Sequence, residues 1–350
     1  MPRRLGIALA LAAGLGLLAV GLAWVFTLPL LGQRFEGAAP AAGAESSGAA
    51  QTAMPAVAVA VPLPSGASVS TTPPPAEAAT AAALPPPWPL LSAEDMLAQR
   101  PAGGSWQLAR WRSNPAVLVV QFPDLAQQGA ALNRLAAWAE KQGAPRDRLL
   151  SGAELQQLIA RGGDNAQTFF GGHNYRIHQL AGFYALAQRQ GLSLTAEEAR
   201  LRSLLEAQAW LPLNGAAPGQ ALISFTDVQA DDPRTPQFEA VDEQLRESVL
   251  RHELSHAQFF TDRAYQTLCT TLWQRWLSGA ERTAIAKALV SQGYDGRNEE
   301  LLINEAQALL FHTADPRAFG AASFGLTEAR LAELRQRFRQ EAQAQGLQLD

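Results

Sequence analysis

Residues 249–259 read VLRHELSHAQF, a segment that contains the pattern His-Glu-x-x-His and says most about the fold. His252 and His256 are four residues apart, so on a helix they lie on one face, one turn apart. Two imidazoles in this arrangement can bind one zinc ion. Glu253 lies beside the pair, where its carboxylate can take a proton from a water molecule that zinc activates. The pattern predicts a hydrolytic zinc site on a helix over about 237–259.

The segment resembles the motif of the zincin metallopeptidases. In their extended pattern a valine or threonine stands three positions before the first histidine, and uncharged residues surround the motif. Val249, Leu254 and Ala257 fit that pattern, whereas Gln258 stands where a hydrophobic residue is usual. The resemblance implies a zinc-dependent hydrolase of peptide bonds that acts on proteins or peptides, with Glu253 as its general base.

A catalytic zinc site has three protein ligands and keeps one position open for water. Glu305 lies in the segment NEAQA over 304–308, 49 residues after His256. This resembles the Asn-Glu-x-x-Ala segment that supplies a glutamate ligand in the gluzincins. The gap is longer than in the best-known gluzincins, and no aspartate follows within four residues to support a ligand histidine. The resemblance implies the ligand set His252, His256 and Glu305.

Asp262 competes with Glu305 for the place of third ligand. It lies six residues after His256, which is the third-ligand position in metzincins. Metzincins also have a glycine three residues after the second histidine, where this chain has Phe259, and a methionine turn downstream, where this chain has no methionine. Asp262 could instead cap the next helix or hydrogen-bond a ligand histidine. The sequence favours Glu305.

Peptide hydrolysis forms an oxyanion, which a hydrogen-bond donor must stabilise. The candidates are His173, Tyr175, Tyr265 and His312. His312 lies seven residues after Glu305 and is therefore expected on the same helix face. His173 and Tyr175 follow a pair of glycines, which would give a flexible approach to a site. Each of the four could equally be a half-buried polar residue in helix packing, and the sequence does not choose among them.

The N-terminus carries a targeting signal. Arg3 and Arg4 precede an uncharged apolar run over 5–31, which at ~1.5 Å per residue is long enough to cross a bilayer. We expect a signal anchor over 1–34 with its short end in the cytoplasm. The protein would then be a single-pass protein of a bacterial inner membrane with its globular domain in the periplasm. Cleavage at a weak small-residue site near Ala23 would secrete it instead.

Composition changes twice along the remaining chain. Residues 35–89 are dominated by Ala, Pro, Gly, Ser and Thr with almost no charge, which predicts a disordered tether. Residues 90–350 show helical periodicity between short apolar runs, which predicts an α+β, mainly helical domain that carries the zinc site. Cys269 is the single cysteine of the sequence, so the chain cannot form an internal disulfide.

Helices dominate this domain. The segment Ser92–Asp95 is typical of a capped helix start. The predicted strand over 221–226 precedes the motif helix. By analogy with zincins, we expect it at a sheet edge, where it would bind the substrate backbone. Strands are predicted over 107–112, 116–122 and 221–226, and helices over 125–141, 153–160, 175–189, 196–210, 237–259, 263–277, 280–292, 297–312 and 327–344.

Charge and composition limit the possible partners. The net charge is -4 and the pI about 5.8, and the basic residues are scattered, so no nucleic-acid partner is expected.

Two alternatives to a peptidase remain open. The domain could bind zinc or an envelope partner without catalysis, although Glu253 would then have no role. It could also hydrolyse an amide bond of the cell wall.

Overall fold

The computed structural model describes residues 86–100, 102–211, 219–227 and 243–349. They form an α+β domain that is mostly helical and includes a five-stranded sheet, as the sequence predicts. The predicted anchor over 1–34 and most of the predicted tether over 35–89 lie outside the described residues. Within the described ranges, no helix is both long enough and apolar enough to cross a membrane.

The sheet is mixed, and its strand order is β1-β2-β3-β5-β4. β3 and β5 are parallel neighbours at its centre, and every residue of both is buried. β4 pairs antiparallel with β5 at the sheet edge. The expectation that 221–226 is an edge strand is therefore wrong, because β4 covers that side of β5. The strands are β1 (Leu90–Leu91), β2 (Gln107–Trp111), β3 (Val117–Phe122), β4 (His173–Arg176) and β5 (Ala221–Thr226).

Most helices follow the predicted bounds. Ser92 caps α1 with a reciprocal capping box, and α8 ends before Gly293, whose φ of 89° suits a helix terminator. The predicted helix over 175–189 begins only at Ile177, after β4. The helices are α1 (Ala93–Ala98), α2 (Leu125–Ala139), α3 (Gly152–Arg161), α4 (Ile177–Arg189), α5 (Ala196–Ala207), α6 (Glu243–Thr261), α7 (Arg263–Thr271), α8 (Gly279–Ser291), α9 (Glu299–Gln307) and α10 (Glu328–Ala344).

Apolar side chains cover both faces of the sheet. Leu118, Val120 and Phe122 of β3 join a cluster with α2, α4 and α5, whereas Val117 and Val119 join a second cluster with α1 and α6. This alternation follows from the two-residue period of a strand. A third cluster is formed by the C-terminal helices together with the end of α6. The motif helix α6 consequently lies between the sheet and the C-terminal helices.

A buried arginine fixes the start of α6. Arg246 is fully buried and donates hydrogen bonds to the backbone oxygens of Leu97 (2.7 Å) and Gln99 (3.0 Å) at the end of α1. It also forms an ion pair with Asp227, 3.1 Å away. A buried charge is tolerated when it is paired and hydrogen-bonded in this way. These contacts hold α6 in a defined position relative to the sheet.

Candidate metal centre

The structure brings His252, His256 and Glu305 together. The Nε2 atoms of the two histidines are 3.0 Å apart, and Nε2 of His256 is 3.8 Å from Oε1 of Glu305. One ligand atom from each of the three residues lies within 4.8 Å of the others, and all three side chains are buried. Helix α6 provides the histidines and α9 the glutamate. We refer to these three residues as the ligand group.

The donor set fits a metal ion such as zinc. A tetrahedral ion with ligands at ~2.1 Å has neighbouring ligand atoms ~3.4 Å apart, and the distances of 3.0 and 3.8 Å lie on either side of that value. Oε2 of Glu305 is buried and has no hydrogen-bond partner among the described residues. A buried carboxylate oxygen without a partner is costly. A cation between the three side chains would remove that cost.

Burial sets the protonation of the ligand group. It lowers the pKa of His252 well below its usual value and that of His256 to about 4, so both imidazoles are neutral near pH 7 and can donate a lone pair. Burial also raises the pKa of Glu305 to about 8, while the nearby Tyr294 hydroxyl and the Lys141 charge oppose the shift. A cation would favour the ionised carboxylate. The group is therefore electrostatically suited to bind positive charge.

Thr313 fixes the tautomer of His252. The Thr313 hydroxyl donates its one proton to the carbonyl oxygen of Ala308, 3.0 Å away, so at 2.8 Å from His252 Nδ1 it acts as an acceptor. The proton of His252 is thereby assigned to Nδ1, so Nε2 carries the lone pair that a metal ion would accept. Thr313 comes directly after a π-helical turn, Ala308–His312, which continues α9. No pattern in the sequence indicates this contact.

Glu253 lies next to the ligand group with its carboxylate buried and held. Its Oε2 accepts a hydrogen bond of 3.0 Å from the Asn174 amide on β4. Gly172 approaches the same carboxylate so closely that a Cβ atom there would lie 2.4 Å from Glu253 Oε1. Burial raises the pKa of Glu253 well above its usual value, and the charges of Glu305 and Glu140 act in the same direction, against the Asn174 hydrogen bond. A carboxylate with a raised pKa is a better base.

A cavity of about 520 Å³ opens onto His252 and Glu253. Its volume is in the range of small-molecule and cofactor sites. The sequence indicates no role for Lys141, Phe169, Phe170 or Tyr294 in this cavity, because they come from connecting segments that the fold brings together over long distances. We call Lys141, Phe169, Phe170, Gly172 and Tyr294 the cavity wall.

Asp262 has a different role from metal binding. Its Oδ1 accepts hydrogen bonds from the backbone N–H groups of Ala264 (2.9 Å) and Tyr265 (3.1 Å), so it caps α7. It does not belong to the ligand group. The structure thus favours the capping role that the sequence offered as the alternative to a metzincin-like ligand.

The four oxyanion candidates are buried away from the cavity. The Tyr265 hydroxyl donates to Gln307 Oε1 (2.6 Å) and contacts His312 Nε2 at 2.7 Å. Nδ1 of His173 lies 2.9 Å from the Tyr175 hydroxyl. Burial, with the charge of Lys141, lowers the pKa of His173 to about 3. None of these four side chains lines the cavity that contains Glu253. Tyr294, which the sequence did not single out, does.

No protein-family model, curated protein sequence or solved structure gives a significant match to this chain. The site consists of a buried group of two histidines and a glutamate, a neighbouring carboxylate, and a cavity that opens onto His252 and that carboxylate.

Proposed function

We propose that the protein is a zinc-dependent metallopeptidase of the gluzincin type that hydrolyses peptide bonds. The observation that carries the proposal is the buried ligand group with Glu253 beside it at the edge of a cavity. A structural zinc site is closed by a fourth protein ligand and needs no base. Among the described residues the group has three members, and Glu253, the proposed base, lies next to it at the cavity where a substrate could enter.

The side chains divide the chemistry between them. Zinc, when bound, would polarise the scissile carbonyl and lower the pKa of water. His252, His256 and Glu305 would hold the ion, with Thr313 keeping Nε2 of His252 unprotonated. Asn174 holds one oxygen of Glu253 and leaves Oε1 to accept the proton of the attacking water. Glu253 would then pass that proton to the leaving amine nitrogen.

The proposal includes a place in the cell. The charge pattern and apolar run of 1–34 support an anchor in a bacterial inner membrane, and the composition of 35–89 supports a tether. The substrate would then be a protein or peptide of the periplasm. This part of the proposal rests on sequence alone.

The test compares the full chain with its Glu253→Gln variant, which keeps the shape of the side chain and removes the base. We expect one zinc ion per chain in both proteins and cleavage of a peptide library by the native protein only. Cleavage by the variant at the native rate would remove Glu253 as the base. A native chain that binds no zinc would refute the metal site. If the native chain binds zinc but cleaves only cell-wall stem peptides, its substrate is the cell wall and not a protein.

A further inference from the structure

Lys141 is a buried cation in the cavity wall. It follows α2, and its side chain is 9% exposed. Its Nζ donates a hydrogen bond of 3.1 Å to the Gln292 carbonyl and lies 4.4 Å from the centre of the Phe170 ring. The rings of Phe169 and Tyr294 lie at 4.8 and 5.4 Å. An ammonium group has three N–H donors, so most of its hydrogen-bonding capacity is left within reach of the cavity.

No carboxylate of the described chain hydrogen-bonds this ammonium group. Glu140, Asp164 and Glu305 act on Lys141 through their charges alone. Burial lowers the pKa of Lys141, and these charges oppose the shift. A buried charge without a paired counter-ion is costly, because aromatic faces and one carbonyl replace only part of its hydration. Apolar residues of similar length would fill this space at lower cost if the role of Lys141 were packing.

The position of Lys141 relative to the ligand group is fixed by the backbone. Lys141 and Tyr294 form an isolated antiparallel bridge, and the N–H of Gln142 donates to the carbonyl oxygen of Gly293 at 2.8 Å. Burial raises the pKa of Glu305, and the Tyr294 hydroxyl opposes that shift. The bridge therefore holds the Lys141 ammonium group beside Tyr294 in the wall of the cavity.

From this geometry we propose that Lys141 binds a carboxylate group of the substrate, in a subsite whose aromatic walls take an apolar residue. The inference rests on the proposed peptidase function and deepens it by naming the substrate class. An ammonium–carboxylate hydrogen bond is charge-assisted, and Phe169 and Phe170 shield it from water. The carboxylate can come from the C-terminus of a peptide or from an acidic side chain. In the first case the enzyme cleaves near the ends of peptides, and in the second next to acidic residues.

The test measures binding without turnover. The full chain with Glu253→Gln, loaded with zinc, is titrated by calorimetry with three probes: acetyl-Ala-Ala-Phe as the free acid, the same peptide as its C-terminal amide, and acetyl-Ala-Glu-Phe amide. A hydrogen bond to a charged group contributes ~1.5–3 kcal/mol, so we expect a carboxylate-bearing probe to bind ~10–100-fold more tightly than the plain amide. Tighter binding of the free acid would identify a peptide C-terminus as the source of the carboxylate, and tighter binding of the glutamate peptide would identify an acidic side chain.

Two further variants identify Lys141 as the cause. Lys141→Met in the same background should remove the preference for the carboxylate, and Lys141→Arg, which keeps the charge, should retain part of it. Equal binding of all three probes, no binding of any probe, or an undiminished preference in Lys141→Met would each overturn the proposal. If Lys141→Met does not fold, Lys141→Gln takes its place, because it removes the charge and keeps a polar side chain, and an undiminished preference there would overturn the proposal in favour of Arg161, which lines the same cavity.

The failure of the subsite and the failure of the peptidase are separable. The native chain is incubated with the same three peptides, and cleavage is followed by mass spectrometry. Cleavage with no preference for a carboxylate would overturn the role of Lys141 and leave the peptidase standing. Carboxylate-dependent binding without cleavage of any peptide would support the subsite and count against the peptidase.

Discussion

The ligand group and the cavity wall meet at Glu253 and are built in different ways. The ligand group lies on two helices, α6 and α9, which pack side by side in the interior. The cavity wall comes from segments between elements, where one backbone bridge joins Lys141 to Tyr294 and Gly172 lies close against Glu253. We expect the two helices to retain the metal and the connecting segments to position Glu253 and the substrate. Changes in the ligand group should therefore lower zinc binding, whereas changes in the connecting segments should lower turnover and leave zinc binding unchanged.

The largest effect is expected from removing a histidine of the ligand group. His256→Ala should abolish zinc binding and hydrolysis together, because the loss of one imidazole leaves only two ligands. We would measure the zinc content by atomic emission and the hydrolysis by cleavage of a peptide substrate. Asp262→Asn is the matched control, since asparagine also caps a helix and the capping oxygen is retained. It should keep both properties, and a loss of zinc in this control would favour the metzincin-like ligand set.

Glu305→Gln sharpens the comparison, because it changes a proposed metal ligand without changing its volume. We expect zinc affinity to fall by more than the ~10–100-fold that changes at supporting residues cause. Competition with a chelator gives the affinity. Glu300→Gln on the same helix is the control: Glu300 is half exposed in an ion pair with Arg176, and a surface pair contributes little. Equal zinc affinities in the two variants would remove Glu305 from the ligand group.

Gly172→Ala tests the other half of the site. The new Cβ atom would lie 2.4 Å from Glu253 Oε1, so the carboxylate must move while the ligand group stays. A displacement of this kind costs ~100-fold in kcat/KM, and zinc content should not change. Gly152→Ala is the control, because a Cβ atom there meets nothing within 4 Å. Loss of zinc in Gly172→Ala would show that the two halves are not separable.

The histidine pair of the ligand group could be predicted because its spacing is local. His252 and His256 need only a helix to face each other, and the apolar neighbours of Glu305 indicate that it is buried. Most helices were likewise predicted from their periodicity and caps, as at Ser92 and Gly293. The predicted helices over 263–277 and 297–312 change to π-helical turns at Leu272 and Ala308.

Non-local pairing explains what could not be predicted. Strand β4 has four residues, and its partner β5 follows more than forty residues later, so its pairing leaves no local pattern, and the sequence predicts a helix from Tyr175 instead. For the same reason Asn174, which β4 presents to Glu253, was not recognised as a site residue. Lys141 and Tyr294 are far apart in the chain and meet through one backbone bridge. A single sequence carries no signal for such a contact.

The smallest effect is expected at Thr313, which acts on the metal only through His252. Thr313→Val keeps the shape of the side chain and removes the acceptor of the His252 Nδ1 proton, so the imidazole is free to carry its proton on Nε2 instead. Zinc affinity should fall ~10–100-fold, and the unfolding free energy by ~1–3 kcal/mol, since a buried N–H loses its partner. Thr313→Ser keeps the hydroxyl and should restore both the zinc affinity and the stability.

Two outcomes would contradict this prediction. If the Thr313→Ser and Thr313→Val variants bind zinc equally weakly, the methyl group and not the hydroxyl supports His252, and the tautomer assigned to His252 is wrong. If both bind zinc as the native chain does, the two helices hold the metal without help from the segment that follows α9, and the division between the ligand group and the connecting segments is complete.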